Sequence, residues 1–165
     1  MLRSFRLGEA DRVLHLYTLA RGRVVAVAKG IRKTKSRFGA RLEPLSHVEL
    51  MLHEGSGELQ TVTGADLVRS HRAAREEGYR LRVGLIGAEA MLRLFVEPEP
   101  NRRAFTALTR FLDALDDDPA FRRRLEELTG GWTVPQILID GKPIGGYTEL
   151  WRLDRDGRLD DLLAA

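Results

Sequence analysis

The sequence predicts an α+β protein in which a small β-barrel is followed by helices. Short apolar or alternating runs recur over residues 1–70 between turn signals, whereas residues 71–115 are rich in Ala, Leu, Arg and Glu. A strand, a turn and a return strand then precede a further helix within residues 134–153. Five short antiparallel strands in the first region are typical of a small closed barrel.

The five predicted strands cover residues 2–7, 12–19, 23–29, 46–53 and 59–68. Alternation is clearest in the fourth strand, where Val48, Leu50 and Leu52 share one face. Glycines mark the turns after the first, second and fourth strands. A long basic loop from Gly30 to Glu43 joins the third strand to the fourth.

Helices are predicted at residues 71–96 and 102–115, on either side of a segment that contains two prolines. Gly84 and Gly87 weaken the first helix and are expected to let another backbone approach it closely. A short helix is expected after Asp118, with Gly130 as its end. We therefore expect three regions. They are a barrel at 1–70, a helical segment at 71–115 and a C-terminal fragment at 116–165.

The composition excludes several classes of protein. The chain has 165 residues, of which 43% are hydrophobic and 31% charged, so it is long enough to bury a core. The absence of Cys excludes disulfides, thiolate catalysis and Cys-ligated metal sites. No apolar run is long enough to span a membrane, and no nucleotide-binding loop or hydrolase motif occurs. We expect a cytoplasmic protein that is not an enzyme and has no cofactor and no metal site.

Positive charge is concentrated at one end of the chain. Residues 1–72 carry 13 Lys and Arg against 7 Asp and Glu, a net charge of +6, whereas residues 73–120 carry −2 and residues 121–165 carry −1. Six cations and no acid lie within residues 29–41. This pattern favours a polyanion such as nucleic acid as the partner, because neutralising phosphates releases their counterions. The alternative is a solvated loop without a partner.

The candidate nucleic-acid contacts are the cations of this loop and three arginines near it. Phe38 lies inside the loop and is either a stacking platform for a base or a core anchor. The full set is Arg12, Arg21, Arg23, Lys29, Arg32, Lys33, Lys35, Arg37, Phe38 and Arg41.

An ordered string of short motifs in this region is characteristic of one protein family. The string is Leu2-Arg3-Ser4, Gly8-Glu9-Ala10-Asp11-Arg12, Gly22-Arg23, Ala28-Lys29-Gly30-Ile31-Arg32-Lys33, Ser36-Arg37-Phe38 and Leu42-Glu43-Pro44-Leu45-Ser46-His47-Val48. It resembles the start of the RecO recombination-mediator family of DNA repair, and the resemblance extends to residue 115.

The resemblance implies an N-terminal OB-fold followed by a helical domain. It also implies binding of single- and double-stranded DNA, strand annealing, and work with RecR and single-stranded-DNA-binding protein. Two departures matter. The first strand starts several residues late, so its pairing is expected to be weak. The larger helical domain of the family, often with a four-Cys zinc site, is largely missing, so partner docking that depends on it is expected to be weakened.

The C-terminal third resembles the second half of a glutaredoxin. The motifs are Thr133-Val134-Pro135 and, after Asp140-Gly141, the run Gly145-Gly146-Tyr147. By this resemblance Pro135 is the cis-proline of a partial thioredoxin-like ββα fragment, and the backbone of Val134, next to Thr133, pairs with glutathione. Gly145, Gly146, Tyr147 and Thr148 then hold the γ-glutamyl end, at a helix start suited to a carboxylate.

The active-site Cys and the central strands of a glutaredoxin are absent, so disulfide exchange is not expected. Either residues 133–135 and 145–148 only form turns, or they bind glutathione weakly.

The main interpretation of the chain is a DNA-binding module of a recombinational DNA-repair mediator, which binds the DNA backbone through residues 29–41 without sequence preference. The alternatives are an inactive glutaredoxin-like protein and a chimera or gene fusion without function.

Overall fold

The computed structural model describes residues 1–36, 38–54, 59–118, 120–130 and 136–163. The chain divides into two compact units, Met1–Asp117 and Asp118–Ala165. None of the helices within the described ranges is long and apolar enough to cross a membrane.

A five-stranded sheet forms the first part of the first unit. Its strands are β1 (Arg3–Leu7), β2 (Asp11–Thr18), β3 (Gly22–Ala28), β4 (His47–His53) and β5 (Gln60–Arg69), in the order β1-β2-β3-β5-β4. The predicted fold class, an OB-type five-stranded sheet followed by helices in an α+β protein, is confirmed. One detail was wrong, because β3 and β5 pair in parallel rather than antiparallel. The whole of β4 lies between them in sequence, which gives the long connection that a parallel pair requires.

The first strand is fully paired, contrary to the expectation from its late start. All five residues of β1 have partners on β2, from Arg3 opposite His15 to Leu7 opposite Asp11. The backbone before β1 also reaches the backbone before β4, since the Leu45 amide donates to the Met1 carbonyl at 3.0 Å. The two edge strands of the sheet therefore meet at one end, as closure into a barrel requires.

The barrel core contains residues from alternate positions on neighbouring strands. Leu14 and Leu16 of β2 lie opposite Ala26 and Val24 of β3, and all four are buried. The basic loop adds Phe38 and Leu42 to the same cluster. This alternation leaves the odd-numbered positions of β2 and β3 on the outer face of the sheet.

The helices of the first unit are α1 (Arg72–Glu76), α2 (Gly78–Leu94) and α3 (Arg102–Asp117). The helix predicted at residues 71–96 is thus divided in two. Glu77 has extended backbone angles, and its carboxylate accepts hydrogen bonds from the amides of Tyr79 and Arg80, which caps α2. A second core cluster, which includes Leu2, Tyr17, Leu45, Leu108 and Leu112, lies between the sheet and these helices.

Gly84 and Gly87 do allow close packing, although not of another backbone. A Cβ at Gly84 would meet the side chains of Leu45 and Leu115, and one at Gly87 would meet the ring of Phe111. Large apolar side chains occupy the space that a backbone was expected to occupy.

The second unit contains α4 (Phe121–Thr129), β6 (Ile137–Ile139), β7 (Lys142–Gly145), α5 (Tyr147–Arg155) and α6 (Leu159–Leu163). Gly130 ends α4 with a φ of 64°, as its sequence position predicted. The strands β6 and β7 pair antiparallel and α5 follows directly, so residues 137–155 form a ββα arrangement. Within the described residues, the strand predicted at residues 134–140 covers only Ile137–Ile139.

Candidate nucleic-acid interface

The basic loop is folded onto the barrel through backbone hydrogen bonds. The Gly30 amide donates to the Asp11 carboxylate at 2.7 Å, and the Arg32 amide donates to the Ala10 carbonyl at 3.0 Å. Gly30 has a φ of 68°, which turns the chain at a position where other residues are strained. A further turn forms where the Lys33 amide donates to the Gly30 carbonyl at 3.1 Å. The turn between β1 and β2 therefore fixes the first half of the loop.

Phe38 anchors the second half of the loop. Its side chain is only 1% exposed and lies in the barrel core with Leu42. A ring enclosed in this way has no free face for a base, so the inclusion of Phe38 among the DNA contacts is corrected.

The three lysines of the loop are the clearest candidates for phosphate contacts. Lys29, Lys33 and Lys35 are exposed, and the structure gives their side chains no ion pair within the described ranges. Arg32 is exposed as well and donates from Nη1 to the Glu9 carbonyl at 2.8 Å, which orients its guanidinium. Arg41 is exposed, and Arg37 lies outside the described residues. The loop thus presents several cations from a single anchored segment.

Arg12 lies on β2 directly opposite a second arginine, Arg6 of β1. On its other side Arg12 lies opposite Ala28 of β3, the residue before Lys29. The two arginines are therefore close to the basic loop. Like charges directly opposite each other in a sheet repel and destabilise it. An anion bound beside Arg6 and Arg12 would remove that repulsion. Arg6 is not among the predicted DNA contacts, although its place near the end of a strand could have marked it as a further candidate.

The outer face of β1 carries an exposed aromatic ring that the sequence analysis also missed. Phe5 is 43% exposed, and its ring makes an edge contact with His15 at a centroid distance of 5.5 Å. The Arg3 guanidinium lies 4.5 Å from the centre of the same ring. An exposed ring beside cations is suited to stack on a base next to a phosphate.

Two arginines beside His15 affect its protonation. Burial lowers the pKa of His15, and the charges of Arg23 and Arg3 lower it further. The Nδ1 atom of His15 is buried and has no hydrogen-bond partner in the described part of the chain. The neutral imidazole is therefore favoured unless an anion approaches this face.

Arg21 and Arg23 lie at the other end of β3 from the loop. Arg23 lies six positions before Lys29, a distance of about 20 Å along the strand, and Arg21 is two residues further away. Arg21 donates to Glu54 Oε1 at 2.7 Å, and both side chains are exposed. Arg23 has no ion pair among the described residues. The structure therefore separates the predicted DNA contacts into two groups, one at each end of the third strand.

Acidic residues at the end of α3 form a structural network. Arg69 makes ion pairs with Asp113, Asp116 and Asp117, and the Asp116 carboxylate accepts from the Ala74 amide at 2.9 Å. In the described ranges, no group of three His, Cys, Asp or Glu side chains could hold a metal ion.

The residues of the glutaredoxin resemblance are only partly described. Thr133, Val134 and Pro135 lie outside the described residues. Tyr147 and Thr148 are exposed at the start of α5. The Gly146 amide, expected to bind a glutathione carboxylate, donates to the Glu149 carboxylate at 2.9 Å, and the Glu149 side chain packs against Gly145. An internal carboxylate thus occupies the expected ligand position.

Comparisons with known proteins match the first part of the chain. Residues 1–71 match the family model described as "Recombination protein O N terminal". A protein named DNA repair protein RecO from Rubrobacter xylanophilus is 48% identical over 116 residues, which cover 70% of this chain and 46% of the relative. Proteins of the same name from Nocardioides sp. and Frankia casuarinae are 44% and 43% identical, over 48% and 49% of their lengths.

The chain thus spans about half the length of the curated relatives it matches. These matches support the RecO resemblance of the first two thirds. They do not support the glutaredoxin resemblance or the interpretation of the chain as a chimera.

Proposed function

We propose, from the match of its first 71 residues to the RecO N-terminal domain, that this chain is the DNA-binding module of a recombinational DNA-repair mediator. The observation that carries the proposal is the anchored basic loop. Phe38 is buried in the barrel, while Lys29, Lys33 and Lys35 are exposed on the same loop without ion pairs in the described part of the chain. Positive charge that a fold anchors and does not neutralise is suited to bind a polyanion.

Binding through this loop is expected to depend on phosphates rather than on base sequence. Lysine ammonium groups act as mobile point charges and do not read base edges by themselves. Each phosphate contact releases condensed counterions, so affinity falls steeply as salt rises. The opposed arginines Arg6 and Arg12 extend the same positive surface on the barrel. The proposal involves no catalytic step.

The proposed ligands are single- and double-stranded DNA. Strand annealing follows from such a surface, because neutralising the phosphates of two strands reduces their repulsion. Cooperation with a RecR-like protein and with single-stranded-DNA-binding protein is a further part of the proposal. It is supported by similarity to proteins named DNA repair protein RecO over 70% of this chain.

Fluorescence anisotropy with a labelled single-stranded oligonucleotide at about 50 mM and about 200 mM salt tests the proposal. The parent should bind tightly at low salt and weakly at high salt. The triple variant K29A/K33A/K35A should bind more weakly, and its plot of log affinity against log salt should be shallower by about 2 to 3.

The matched control is the triple variant R123A/K142A/R152A, which removes three exposed cations from the second unit and changes the net charge equally. It should bind like the parent. Equal losses in both variants would show that only net charge matters, and no binding by the parent at low salt would refute the proposed function.

A further inference from the structure

An open depression of about 630 Å³, called the cavity below, lies beside the start of β3. This volume is in the range of pockets that hold small ligands. The described residues of its wall include two cations, three apolar side chains and one amide. They are Arg21, Arg23, Val25, Leu59, Gln60 and Val96. Apolar walls beside guanidinium groups fit a flat ring attached to a phosphate.

One wall of the cavity comes from the segment between α2 and α3. Val96 and Pro98 of this segment line the cavity. The same segment lies tightly against the turn between β2 and β3, because a Cβ at Gly22 would clash with the Glu99 backbone. Gly22 also has a φ of 63°, so two independent features require glycine there. The wall is therefore fixed against the sheet.

The side chain of Gln60 also lines the cavity and is held in place by a hydrogen bond. Its Nε2 donates to Glu54 Oε1 at 3.0 Å, and a carboxylate oxygen can only accept, so the orientation of the amide is fixed. Its Oε1 is buried without a hydrogen-bond partner among the described residues. Because this oxygen is buried, it is not exposed to the cavity, and the Gln60 side chain contributes a fixed part of the wall rather than an acceptor for a ligand.

The strand register connects the cavity wall with β1 through one row of residues. Val25 in its wall lies opposite His15 on β2, and His15 lies opposite Arg3 on β1. This row crosses two strand spacings, about 10 Å, and ends beside the exposed ring of Phe5. A single strand lying across the row could place one base in the cavity and the next base against Phe5.

We propose that this cavity binds one unpaired base of a DNA single strand, with Arg21 and Arg23 contacting the phosphates on either side of it. This inference rests on the proposed function and extends it from phosphate binding to recognition of an unstacked base. A base paired in a duplex cannot enter the cavity, so the site favours single strands over double strands.

The test compares two labelled single strands of about 15 thymidines, one intact and one with abasic residues at its centre. Both have the same phosphates, so the basic loop binds them equally. The parent should bind the intact strand at least about fivefold more tightly, because each base–protein stacking contact contributes substantially to affinity.

The variant V96E places a carboxylate at the cavity and should reduce the preference for the intact strand by the contribution of one base, while the stacking contact with Phe5 remains. Its control is V68E, because Val68 and Val96 are both 59% exposed and the charge change is the same. V68E should keep the preference of the parent for the intact strand. Thermal unfolding of both variants establishes that they are folded.

The two proposals fail in distinguishable ways. Equal, salt-sensitive binding of both strands by the parent would refute the base site and leave phosphate binding intact. Absence of binding to either strand at low salt would refute both proposals.

Discussion

Glu54 makes an ion pair with Arg21, one of the two arginines that line the cavity. The Glu54 carboxylate accepts from the Arg21 guanidinium at 2.7 Å and from the Gln60 amide at 3.0 Å. The acid thus connects two residues of the cavity wall and occupies the arginine that a phosphate would use.

Replacing Glu54 with Gln should therefore tighten the binding of single-stranded DNA. The variant E54Q keeps a side-chain oxygen for Gln60 and removes the charge that competes with phosphate. Exposed ion pairs contribute little, so the gain should be about twofold to fivefold. The control is E49Q, which removes an exposed acid on β4 that makes no ion pair with a described residue. Equal gains in both variants would assign the effect to net charge.

Phe38 is expected to be a stability residue. Its ring is 1% exposed in the barrel core, so F38A should lower the free energy of unfolding by about 3 to 5 kcal/mol. Chemical denaturation measures this loss. A change below about 1 kcal/mol would show that the ring is not packed as described.

Phe5 should behave in the opposite way. Its ring is 43% exposed, so F5L should change stability little and should weaken binding of single-stranded DNA by about fivefold or more. Anisotropy and thermal unfolding of the same preparation separate the two effects. Unchanged affinity in F5L would remove Phe5 from the interface.

The opposed arginines Arg6 and Arg12 should reduce stability in the absence of DNA. The variant R6Q removes their repulsion and should stabilise the free protein by about 0.2 to 1 kcal/mol at low salt. The same variant should make the plot of log affinity against log salt shallower by about 1, as expected for the loss of one phosphate contact. A stabilised variant with unchanged salt dependence would show that this pair does not contact DNA.

The pKa of His15 predicts a pH dependence of stability. Its pKa lies below the ordinary value of 6.5, mainly because of burial and further because of Arg23 and Arg3. The unfolded chain therefore binds a proton more readily than the folded chain. The contribution of His15 to stability is fully present above about pH 6.5 and decreases as the pH falls below that value. Thermal midpoints measured across this range should fall less in H15Q than in the parent.

DNA should change the sign of this effect at the same residue. A phosphate beside Arg3 and Arg23 offsets their charges and favours the protonated imidazole, so binding should tighten as the pH falls from about 7.5 to about 6. Phe5 also contacts His15 but does not titrate. H15Q should lose this pH dependence, and an unchanged profile would place the phosphates elsewhere.

Several features of the fold could be predicted because they depend on local patterns. Short apolar or alternating runs between turn signals identified the strands, and the dense cations of residues 29–41 identified a concentration of positive charge. Gly130 marked the end of α4 because a positive φ at that position favours glycine. Each of these signals lies within a few neighbouring residues, so the sequence alone could reveal it.

Other features depend on contacts between distant residues. Phe38 and Phe5 are equally aromatic in sequence, but the folding of the loop buries one ring, and the register of β1 exposes the other. The pairing of Arg6 with Arg12 likewise depends on strand register. The cavity exists because the segment that contains Val96 packs against β3. The sequence by itself determined which elements form and where positive charge gathers. The tertiary structure decided which side chains contact one another and which are exposed to solvent, because burial and strand register depend on residues far apart in the chain.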